Sequence, residues 1–453
     1  MFLKENKDIH TLNDISSAIA VLSWDQEVNM PPKGGPARAK QIATLAAIYH
    51  QKLIDLKIPK DPVLKREFTR LKNRAKKIPV NLVKELSEIT SLAQQNWQKA
   101  KLEKRFEIFS PDLEKILKLK TQIAKLLKTN GQSLYDVMLD EFEPDLTEKE
   151  VSNIFDNVKD ELSSRVSKLK TLTKNSDKKI VNKKYDIGLK VVQDMGYDFS
   201  AGRQDISAHP FTTTFNTNDV RITTWEDSSD FRPKLYATIH EAGHALYEQG
   251  LDPKLDRLEM NGGGMAIHES QSRLWENMIG RSEEFCKKYL SPNMFKVVNV
   301  VKPSLVRVEA DEVSYGLHII VRFEIERDLI NSKIKVKDLP KIWNEKYKQY
   351  LGITPKNDAE GVLQDIHWAH GAFGYFPSYF LGSLIAAQLL NTAKKQIDIY
   401  NFQSLREWLR KNIHQYGKVY TTKELLLRIT GETLNPKYFL DYLEEKFNHL
   451  YSL

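Results

Sequence analysis

Apolar residues recur at helical spacing along most of the chain. They return every three to four positions, the period of an α-helix with one buried face. The pattern predicts helices over 36–56, 81–128, 146–172, 232–250, 268–289, 303–331 and 381–397. Neither a Gly/Ser-rich or Pro-rich linker nor a repeat of fixed period divides these stretches. We therefore predict a mainly α-helical protein in which residues 1–453 form a single integrated domain.

One segment departs from the helical pattern. Residues 207–226 are rich in threonine and aromatic side chains, which favour β-strands, and they contain the turn-forming run Asn216-Thr217-Asn218-Asp219. The segment predicts a small antiparallel hairpin directly before the helix of residues 232–250.

Composition limits the functional classes. Hydrophobic residues make up 41% and charged residues 28% of the chain, as in globular proteins. The net charge is +8, but the lysines are spread over several helices, which favours a solvated basic surface over nucleic-acid binding. Cys286 is the only cysteine, which excludes an intramolecular disulfide and a cysteine-rich metal site and suits a reducing compartment.

The chain contains no predicted export or membrane segment. Its N-terminal residues carry both charge signs without a long apolar stretch, so we expect no secretory signal. The apolar runs 18–22 and 384–390 are far shorter than the ~20 residues that a bilayer span needs. These features predict a cytoplasmic protein without a membrane partner.

The candidate chemistry lies in the sequence His240-Glu241-Ala242-Gly243-His244. Residues four apart on a helix project from nearly the same face, at about 100° per residue, so both imidazoles can bind one Zn²⁺ ion. Glu241 would point to the adjoining side, the position of a general base. Two unrelated surface histidines are the alternative interpretation, but a chance match of this pattern is improbable in a chain with 11 histidines.

A catalytic zinc site needs a third protein ligand, and the residues leave three candidates. Glu248 lies one turn beyond His244 and would reach the metal only with strain, which favours an outer role. Glu269 follows the run Gly262-Gly263-Gly264 and begins a second helix, from which a carboxylate would complete a His₂Glu site. His268 is the second choice as ligand, with a hydrogen bond to a ligand as its other possible role.

Several further segments carry a family resemblance over nearly the whole chain. They are Leu22-Ser23-Trp24-Asp25-Gln26 with Met30-Pro31, His209-Pro210-Phe211, Asp219-Val220-Arg221-Ile222-Thr223, His268-Glu269-Ser270-Gln271, Val306-Arg307-Val308-Glu309-Ala310-Asp311 and Gly361-Val362-Leu363-Gln364-Asp365-Ile366-His367-Trp368. Together with His240 to His244, and in this order, they resemble the thermostable-carboxypeptidase-type metallocarboxypeptidases, family M32.

The resemblance implies a fold and an activity. The expected fold is a helical body with a deep active-site groove, in which 1–130 form an N-terminal helical lid and 200–380 the catalytic core. The expected protein is a homodimer with one Zn²⁺ per subunit, held by His240, His244 and Glu269. Co²⁺ or Mn²⁺ is possible at such a site. The implied reaction removes single residues from peptide C-termini with broad specificity, disfavouring proline.

This activity suggests roles for other residues. Glu241 would transfer the proton of the attacking water, while His367 and Tyr375 would donate hydrogen bonds to the tetrahedral oxyanion. Packing in the core is the other possible role of Tyr375. Asp365 would orient a histidine.

The free carboxylate of a peptide calls for a fixed arginine. Arg221 and Arg307 are the candidates, with His209 as a further substrate contact. Each arginine has an alternative: Arg221 pairs with Asp219 or Glu226, and Arg307 pairs with Asp311.

Polar residues also form a stripe on the predicted helix 303–331. They are Arg307, Asp311, Tyr315, His318 and Arg322, among apolar neighbours. The stripe predicts either an edge that faces a wet groove or a buried network of ion pairs.

Two other functions remain open. An endo-acting or dipeptide-releasing metallopeptidase would share the metal motif. A basic helical binding protein with a structural metal would need four protein ligands, and the sequence offers three good ones beside an intact Glu241. We therefore favour the carboxypeptidase.

Overall fold

A computed structural model of the chain describes residues 7–172, 187–207, 209–225 and 230–452. Within these ranges the fold is mainly helical, as the sequence predicts. The helices are α1 (Lys7–Val28), α2 (Gly35–Asp55), α3 (Pro62–Lys77), α4 (Val80–Glu103), α5 (Ser110–Leu127), α6 (Leu134–Leu139), α7 (Glu148–Leu172), α8 (Gly188–Met195), α9 (Phe231–Gln249), α10 (Met265–Arg273), α11 (Glu283–Tyr289), α12 (Met294–Val298), α13 (Tyr315–Ile330), α14 (Leu339–Leu351), α15 (Phe376–Ala393), α16 (Phe402–Asn412), α17 (Thr422–Thr430) and α18 (Lys437–Tyr451). None of these described helices has the length and apolar character that a bilayer span requires.

The predicted helix over 81–128 is wrong at its centre, where the chain breaks into α4 and α5. Lys104 takes a left-handed conformation with a φ of 58° and ends α4. Pro111 then occupies the first turn of α5, where its missing N–H is tolerated. Apolar periodicity continues through this break, because both helices bury one face.

The predicted helices 268–289 and 303–331 are also interrupted. A π-helical segment, Leu274–Ile279, follows α10, and Ser282 caps α11 by accepting the Phe285 N–H at 3.1 Å. Helix α13 begins only at Tyr315, because the Asp311 carboxylate accepts the Ser314 N–H at 2.9 Å and holds a turn there. The remaining predicted helices agree with the structure to within a few residues at each end.

The predicted hairpin is confirmed and extended. Strands β2 (Thr212–Asn216) and β3 (Asp219–Thr224) pair antiparallel, with Thr212 opposite Ile222. A further strand that the sequence did not indicate, β1 (Gln204–Ile206), pairs parallel with β3, so the sheet order is β1-β3-β2. Helix α9 packs against β3 and β2. The hairpin therefore supports the helix that carries the candidate metal ligands.

The chain forms two compact units, each assembled from separate stretches of sequence. The first comprises Met1–Lys76, Lys179–Val298 and Gly382–Tyr438, and the second comprises Lys77–Lys178, Asn299–Leu381 and Phe439–Leu453. The predicted N-terminal portion 1–130 is thus divided between the two units, and so is the predicted core portion 200–380. The single integrated domain remains a prediction.

Each unit has its own apolar core. In the first unit, α1, α2 and α3 pack on the segment that follows α9, through Ile9, Leu12, Leu53, Leu56, Leu64, Phe68, Ala75, Leu251, Leu255, Leu258 and Met260. In the second unit, α13 is buried around nearly its whole circumference and packs on α7 and α14. A helix so enclosed carries its polar groups into the core, where each needs a partner.

Two glycines of the first unit allow α9, α10 and the part of α15 from Gly382 onward to approach closely. A Cβ atom at Gly243 of α9 would lie 2.7 Å from the Ser272 Cα atom and 2.8 Å from the Gln271 carbonyl oxygen of α10. At Gly382 of α15, a Cβ atom would lie 2.6 Å from the Cβ atom of Glu269. These contacts leave no room for a methyl group and fix α10 between its neighbours.

We predict that Gly382→Ala destabilises the protein by about 1–3 kcal/mol, the usual cost of overpacking a close contact. The free energy of unfolding in denaturant measures it. Gly35→Ala is the matched control, because a Cβ atom there meets only the Met30 methyl carbon at 4.0 Å. An equal loss of stability in both variants would contradict the close-contact argument.

Candidate metal centre

Helix α9 presents two imidazoles on one face. Its first turn is capped by Asp230, which accepts the Arg232 N–H at 3.0 Å. Leu235, Ile239 and Leu246 are buried and hold the opposite side of the helix in the core. His240 and His244, one turn apart, therefore lie side by side, with ring centroids separated by 4.9 Å.

Glu269 of α10 completes a cluster with the two histidines. Its Oε2 atom lies 3.4 Å from His244 Nε2 and 3.8 Å from His240 Nε2. One ligand atom from each of the three residues falls within 4.8 Å of the others. The edges of a tetrahedron with ~2 Å metal–ligand bonds are about 3.3 Å long. The structure thus brings the predicted ligands to distances suited to one metal ion.

A carboxylate fixes the tautomer of His240. Its Nδ1 atom lies 2.9 Å from Glu276 Oε2, and a carboxylate can only accept, so Nδ1–H is the donor. The pKa of Glu276 falls to about 2, because Arg273 and His240 outweigh the effect of burial. The His240 Nε2 lone pair is consequently directed at the cluster, the usual outer arrangement of a metal-binding histidine.

A chain of hydrogen bonds fixes the tautomer of His244. Glu248 Oε1 accepts the Nε2–H of His268 at 2.8 Å. His244 Nδ1 lies 2.6 Å from His268 Nδ1, and only one of these two nitrogens can carry the shared proton; with the His268 proton at Nε2, the donor is the His244 Nδ1–H. This leaves Nε2 of His244 unprotonated toward the cluster, and burial agrees, since it lowers the pKa of His244 to about 3. His268 and Glu248 thus form hydrogen bonds in series on the side of His244 that faces away from the cluster.

The charge of Glu269 is compensated on the side away from the histidines. Arg273 Nε donates to Glu269 Oε1 at 2.7 Å. Burial raises the pKa of a carboxyl, but Arg273 and the two imidazoles lower the pKa of Glu269 well below its usual range. The carboxylate therefore stays ionised, with Oε2 available as a ligand atom.

Glu241 lies beside this cluster and is buried to 7% exposure. The Thr212 hydroxyl of β2 donates to its Oε2 atom at 2.6 Å and holds the carboxylate in place. Burial raises the pKa of Glu241, against the effects of His240 and Thr212. A carboxylate with a raised pKa is suited to taking up a proton near neutral pH.

The donor set fits a single divalent cation. Two imidazole nitrogens and one carboxylate oxygen are the ligands of His₂Glu zinc sites, and Co²⁺ or Mn²⁺ also accepts them. Burial lowers the pKa of His240, but Glu269 and Glu276 outweigh it and the net pKa is raised. A cation must therefore compete with a proton at the Nε2 atom of His240.

Sequence reasoning missed three residues around the cluster: Thr212, Arg273 and Glu276. Glu269, Arg273 and Glu276 recur at i, i+4 and i+7, so helical spacing is a signal that the last two share a face with the ligand. Thr212 had no such signal, because its contact with Glu241 depends on how the hairpin packs against α9.

Arg221 lies on β3 and pairs with its nearest predicted partner. Its Nε and Nη2 atoms each donate to Asp219 at 2.8 Å, and its guanidinium covers the Trp24 ring at 4.4 Å. The alternative partner, Glu226, lies outside the described residues. His209 Nδ1 lies 2.9 Å from the Pro210 carbonyl oxygen. The pairing with Asp219 orients the arginine without excluding a substrate contact.

Arg307 belongs to a buried network in the second unit. Its Nε atom donates to Asp365 at 2.9 Å, and Arg322, which is fully buried, also pairs with Asp365, at 2.7 Å. The predicted pairing of Arg307 with Asp311 is therefore wrong, because Asp311 caps the turn before α13. Of the two predictions for the polar stripe, the buried ion-pair network describes Arg307 and Arg322. The fully buried His318 lies 3.0 Å from the Tyr347 hydroxyl instead of forming an ion pair in the described contacts.

His367 and Tyr375 lie together on the segment that leads into α15. Their ring centroids are 5.5 Å apart, and His367 Nε2 lies 3.1 Å from the Tyr379 hydroxyl. Burial lowers the pKa of His367 to about 3. The charge of Asp365 opposes this decrease, whereas the charges of Arg307 and Arg322 add to it. His367 is therefore a neutral imidazole, able to donate a hydrogen bond.

Comparison with known proteins identifies the family. Residues 4–447 match the family described as carboxypeptidase Taq (M32) metallopeptidase. Carboxypeptidase 1 of Bacillus subtilis is 37% identical, over 98% of this chain and 97% of that protein. Thermostable carboxypeptidase 1 of Pyrococcus furiosus is 37% identical, over 96% and 95%.

A solved structure of a Pyrococcus furiosus carboxypeptidase, described as Apo-Mg, superposes with a TM-score of 0.90 at 35% identity, over 99% of this chain and 100% of that one. These matches confirm the predicted resemblance and extend over nearly the full length of each relative. The chain belongs to the carboxypeptidase Taq (M32) family of metallopeptidases and is a peptide hydrolase.

Proposed function

We propose that this protein is a metal-dependent carboxypeptidase that removes single residues from peptide C-termini, with broad specificity and poor cleavage next to proline. The convergence of His240, His244 and Glu269 beside the buried Glu241 carries the proposal. Relatives named carboxypeptidases, similar over their full length, support the exopeptidase activity. A homodimer and a cytoplasmic location belong to the proposal through the family resemblance and the composition.

The proposed cofactor is one Zn²⁺ per subunit, with Co²⁺ or Mn²⁺ as acceptable substitutes. His240, His244 and Glu269 would hold it, and the fixed histidine tautomers and the Arg273-paired carboxylate support this assignment. When bound, such an ion acidifies water and polarises the scissile carbonyl.

Glu241 is the proposed general base and acid. It would take the proton of the attacking water and return it to the leaving amine, so it must remain close to the reacting atoms in both steps. The Thr212 hydroxyl, at 2.6 Å, supports this role by fixing one oxygen of the carboxylate.

The terminal carboxylate of the substrate would be bound by Arg221 or Arg307, with His209 as a further contact. Each arginine already pairs with an aspartate, which fixes its guanidinium and lowers the entropic cost of forming further hydrogen bonds. The proposal leaves open which of the two arginines makes this contact.

His367 and Tyr375 are the proposed donors to the tetrahedral oxyanion. Two features support His367: burial lowers the pKa of its ring, which favours the neutral imidazole, and its buried Nδ1 atom has no hydrogen-bond partner among the described residues. Tyr375 packs beside it and offers a phenolic O–H. Donors held in position before the reaction stabilise developing charge without reorganisation.

An endo-acting or dipeptide-releasing peptidase with the same metal ligands is the alternative function. Such a peptidase would not need a fixed group that binds a free carboxylate located one residue beyond the scissile bond. An endo-acting peptidase therefore tolerates a blocked C-terminus, and a dipeptide-releasing peptidase differs from a carboxypeptidase in the size of the product it releases.

Glu269→Gln is predicted to weaken metal binding by about 10-fold or more, because a neutral amide replaces an ionised ligand. Metal bound after equilibrium dialysis against Zn²⁺, measured by elemental analysis, tests this. The exposed Glu407→Gln is the control and should bind like the wild type. Unchanged affinity of the Glu269 variant would remove Glu269 from the ligand set.

Glu241→Gln is predicted to retain the metal but to lower kcat by at least about 100-fold, because an amide cannot accept the proton. Metal content and steady-state hydrolysis of acetyl-Ala-Ala-Phe are measured on the same preparation. Wild-type turnover in this variant would refute the assigned role.

Blocking the peptide ends separates the two activities. We expect acetylation of the α-amino group to leave hydrolysis intact, whereas amidation of the carboxyl group abolishes it, because the guanidinium then lacks its anionic partner. Mass spectrometry of the products of one test peptide in both forms is the measurement. Cleavage of the amidated form would favour the endo-acting peptidase, and release of two-residue fragments from the free form would favour the dipeptide-releasing one.

A further inference from the structure

The segment 367–375, which carries both proposed oxyanion donors, consists of turns rather than helix or strand. Turn hydrogen bonds hold its first half, with the Ala372 N–H donating to the His367 carbonyl oxygen at 2.9 Å, but none of those bonds joins the two ends of the segment. The His367 ring packs against Phe376 with centroids 4.5 Å apart, and its Nε2 atom lies 3.1 Å from the Tyr379 hydroxyl, but both contacts are with α15 and do not link His367 to Tyr375. Directed hydrogen bonds are needed to define its position.

Glu326 of α13 supplies such bonds at two points of this segment. The indole Nε1–H of Trp368 donates to Oε1 at 2.7 Å, and the backbone N–H of Gly374 donates to Oε2 at 3.0 Å. Trp368 directly follows His367, and Gly374 directly precedes Tyr375. The carboxyl group therefore bridges the two ends of the segment, one residue from each proposed donor.

The chemistry of this bridge requires two acceptor oxygens. Both N–H groups can only donate, so an amide in place of the carboxyl would satisfy one and oppose its NH₂ group to the other. The Tyr135 hydroxyl also donates to Oε2, at 3.0 Å. Unlike the N–H groups, a hydroxyl can reverse its role when the carboxyl carries a proton.

Burying this carboxyl has a cost that an apolar side chain would avoid. Glu326 is fully buried, and burial raises its pKa to about 7 despite the three hydrogen bonds. The neighbouring Glu324 is different, since it pairs with Lys346 and Lys159. Glu326 is thus a buried acid whose bonds are directed at the segment of His367 and Tyr375.

We propose that Glu326 is a positioning residue that holds His367 and Tyr375 in their working geometry by accepting the N–H groups of Trp368 and Gly374. The inference rests on the proposed roles of His367 and Tyr375 in the reaction. The hydrogen-bond partners of Glu326 among the described residues are Tyr135, Trp368 and Gly374, none of which is a candidate metal ligand.

A mutant cycle on the metal-loaded, full-length protein tests this inference. We expect Glu326→Gln to lower kcat for acetyl-Ala-Ala-Phe by about 10- to 100-fold, with KM little changed, because small misplacements of catalytic groups have effects of this size. In the double variant His367→Ala/Tyr375→Phe, adding Glu326→Gln should change kcat by less than about 2-fold, since the groups it positions are already gone.

Glu324→Gln is the matched control on the same helix. It removes the charge of a buried glutamate that contacts Lys346 and Tyr350 rather than the 367–375 segment, and kcat should stay within about 2-fold of the wild type. Metal content should be unchanged in both variants, because the candidate metal ligands belong to the first unit. Hydrogen exchange adds a direct measurement: whichever of the Gly374 N–H and the Trp368 Nε1–H faces the NH₂ group of the new side chain should exchange faster in Glu326→Gln.

The outcomes separate the inference from the function on which it rests. Wild-type kcat in Glu326→Gln, or an equal loss in both backgrounds, would overturn the positioning role alone. Wild-type kcat in His367→Ala/Tyr375→Phe would overturn the proposed oxyanion donors and the positioning role with them. If Glu326→Gln does not fold, Trp368→Phe removes one donor while keeping a ring in place, and it must show the same non-additive loss for the inference to stand.

Discussion

The close packing of α9 against α10 is the constraint on which the candidate metal centre depends. His240 and His244 lie together on any regular helix, but Glu269 comes from a different helix and must approach to 3.4 Å from His244 Nε2. Gly243 permits this approach by leaving space for the α10 backbone, and Gly382 bounds Glu269 from α15. The packing of the helix backbones therefore determines where the ligand side chains begin, and the side chains then bring the ligand atoms together.

Buried charge is balanced in a consistent way around this centre. Each ionised group meets a partner that also orients it: Arg273 with Glu269, and Glu276 with His240. Asp365 serves both Arg307 and Arg322 in the second unit. Buried pairs of this kind add little net stability, since desolvation offsets their attraction. Their main effect here is geometric, because charge-assisted hydrogen bonds fix rings and guanidinium groups in one orientation.

Glu326 follows a different principle. Its partners are the neutral donors Tyr135, Trp368 and Gly374, so its charge is not balanced by a cation in these contacts. Such a group is costly to bury and is useful only where two fixed donors must be joined. The 367–375 segment presents that situation, since its own turn hydrogen bonds, such as Ala372 N–H to the His367 carbonyl oxygen, do not join its two ends.

The sequence alone determined the helical class, the hairpin and the two candidate histidine ligands. In a helix with one buried face, apolar residues recur about every 3.6 positions, and this period can be read from the sequence. The spacing His-x-x-x-His likewise places both rings on one side of a helix. These properties depend on local spacing, which is written in the order of residues.

Only the tertiary structure decided which residues surround those ligands and which aspartate each arginine meets. Periodicity continued through the breaks at Lys104 and before Tyr315, because buried faces on both sides of a break look alike in sequence. Arg307 pairs with Asp365, 58 residues away, rather than with Asp311 at helical spacing. Thr212 reaches Glu241 across 29 residues. Contacts between elements arise from how the faces pack, and the spacing of residues along the chain does not encode that packing.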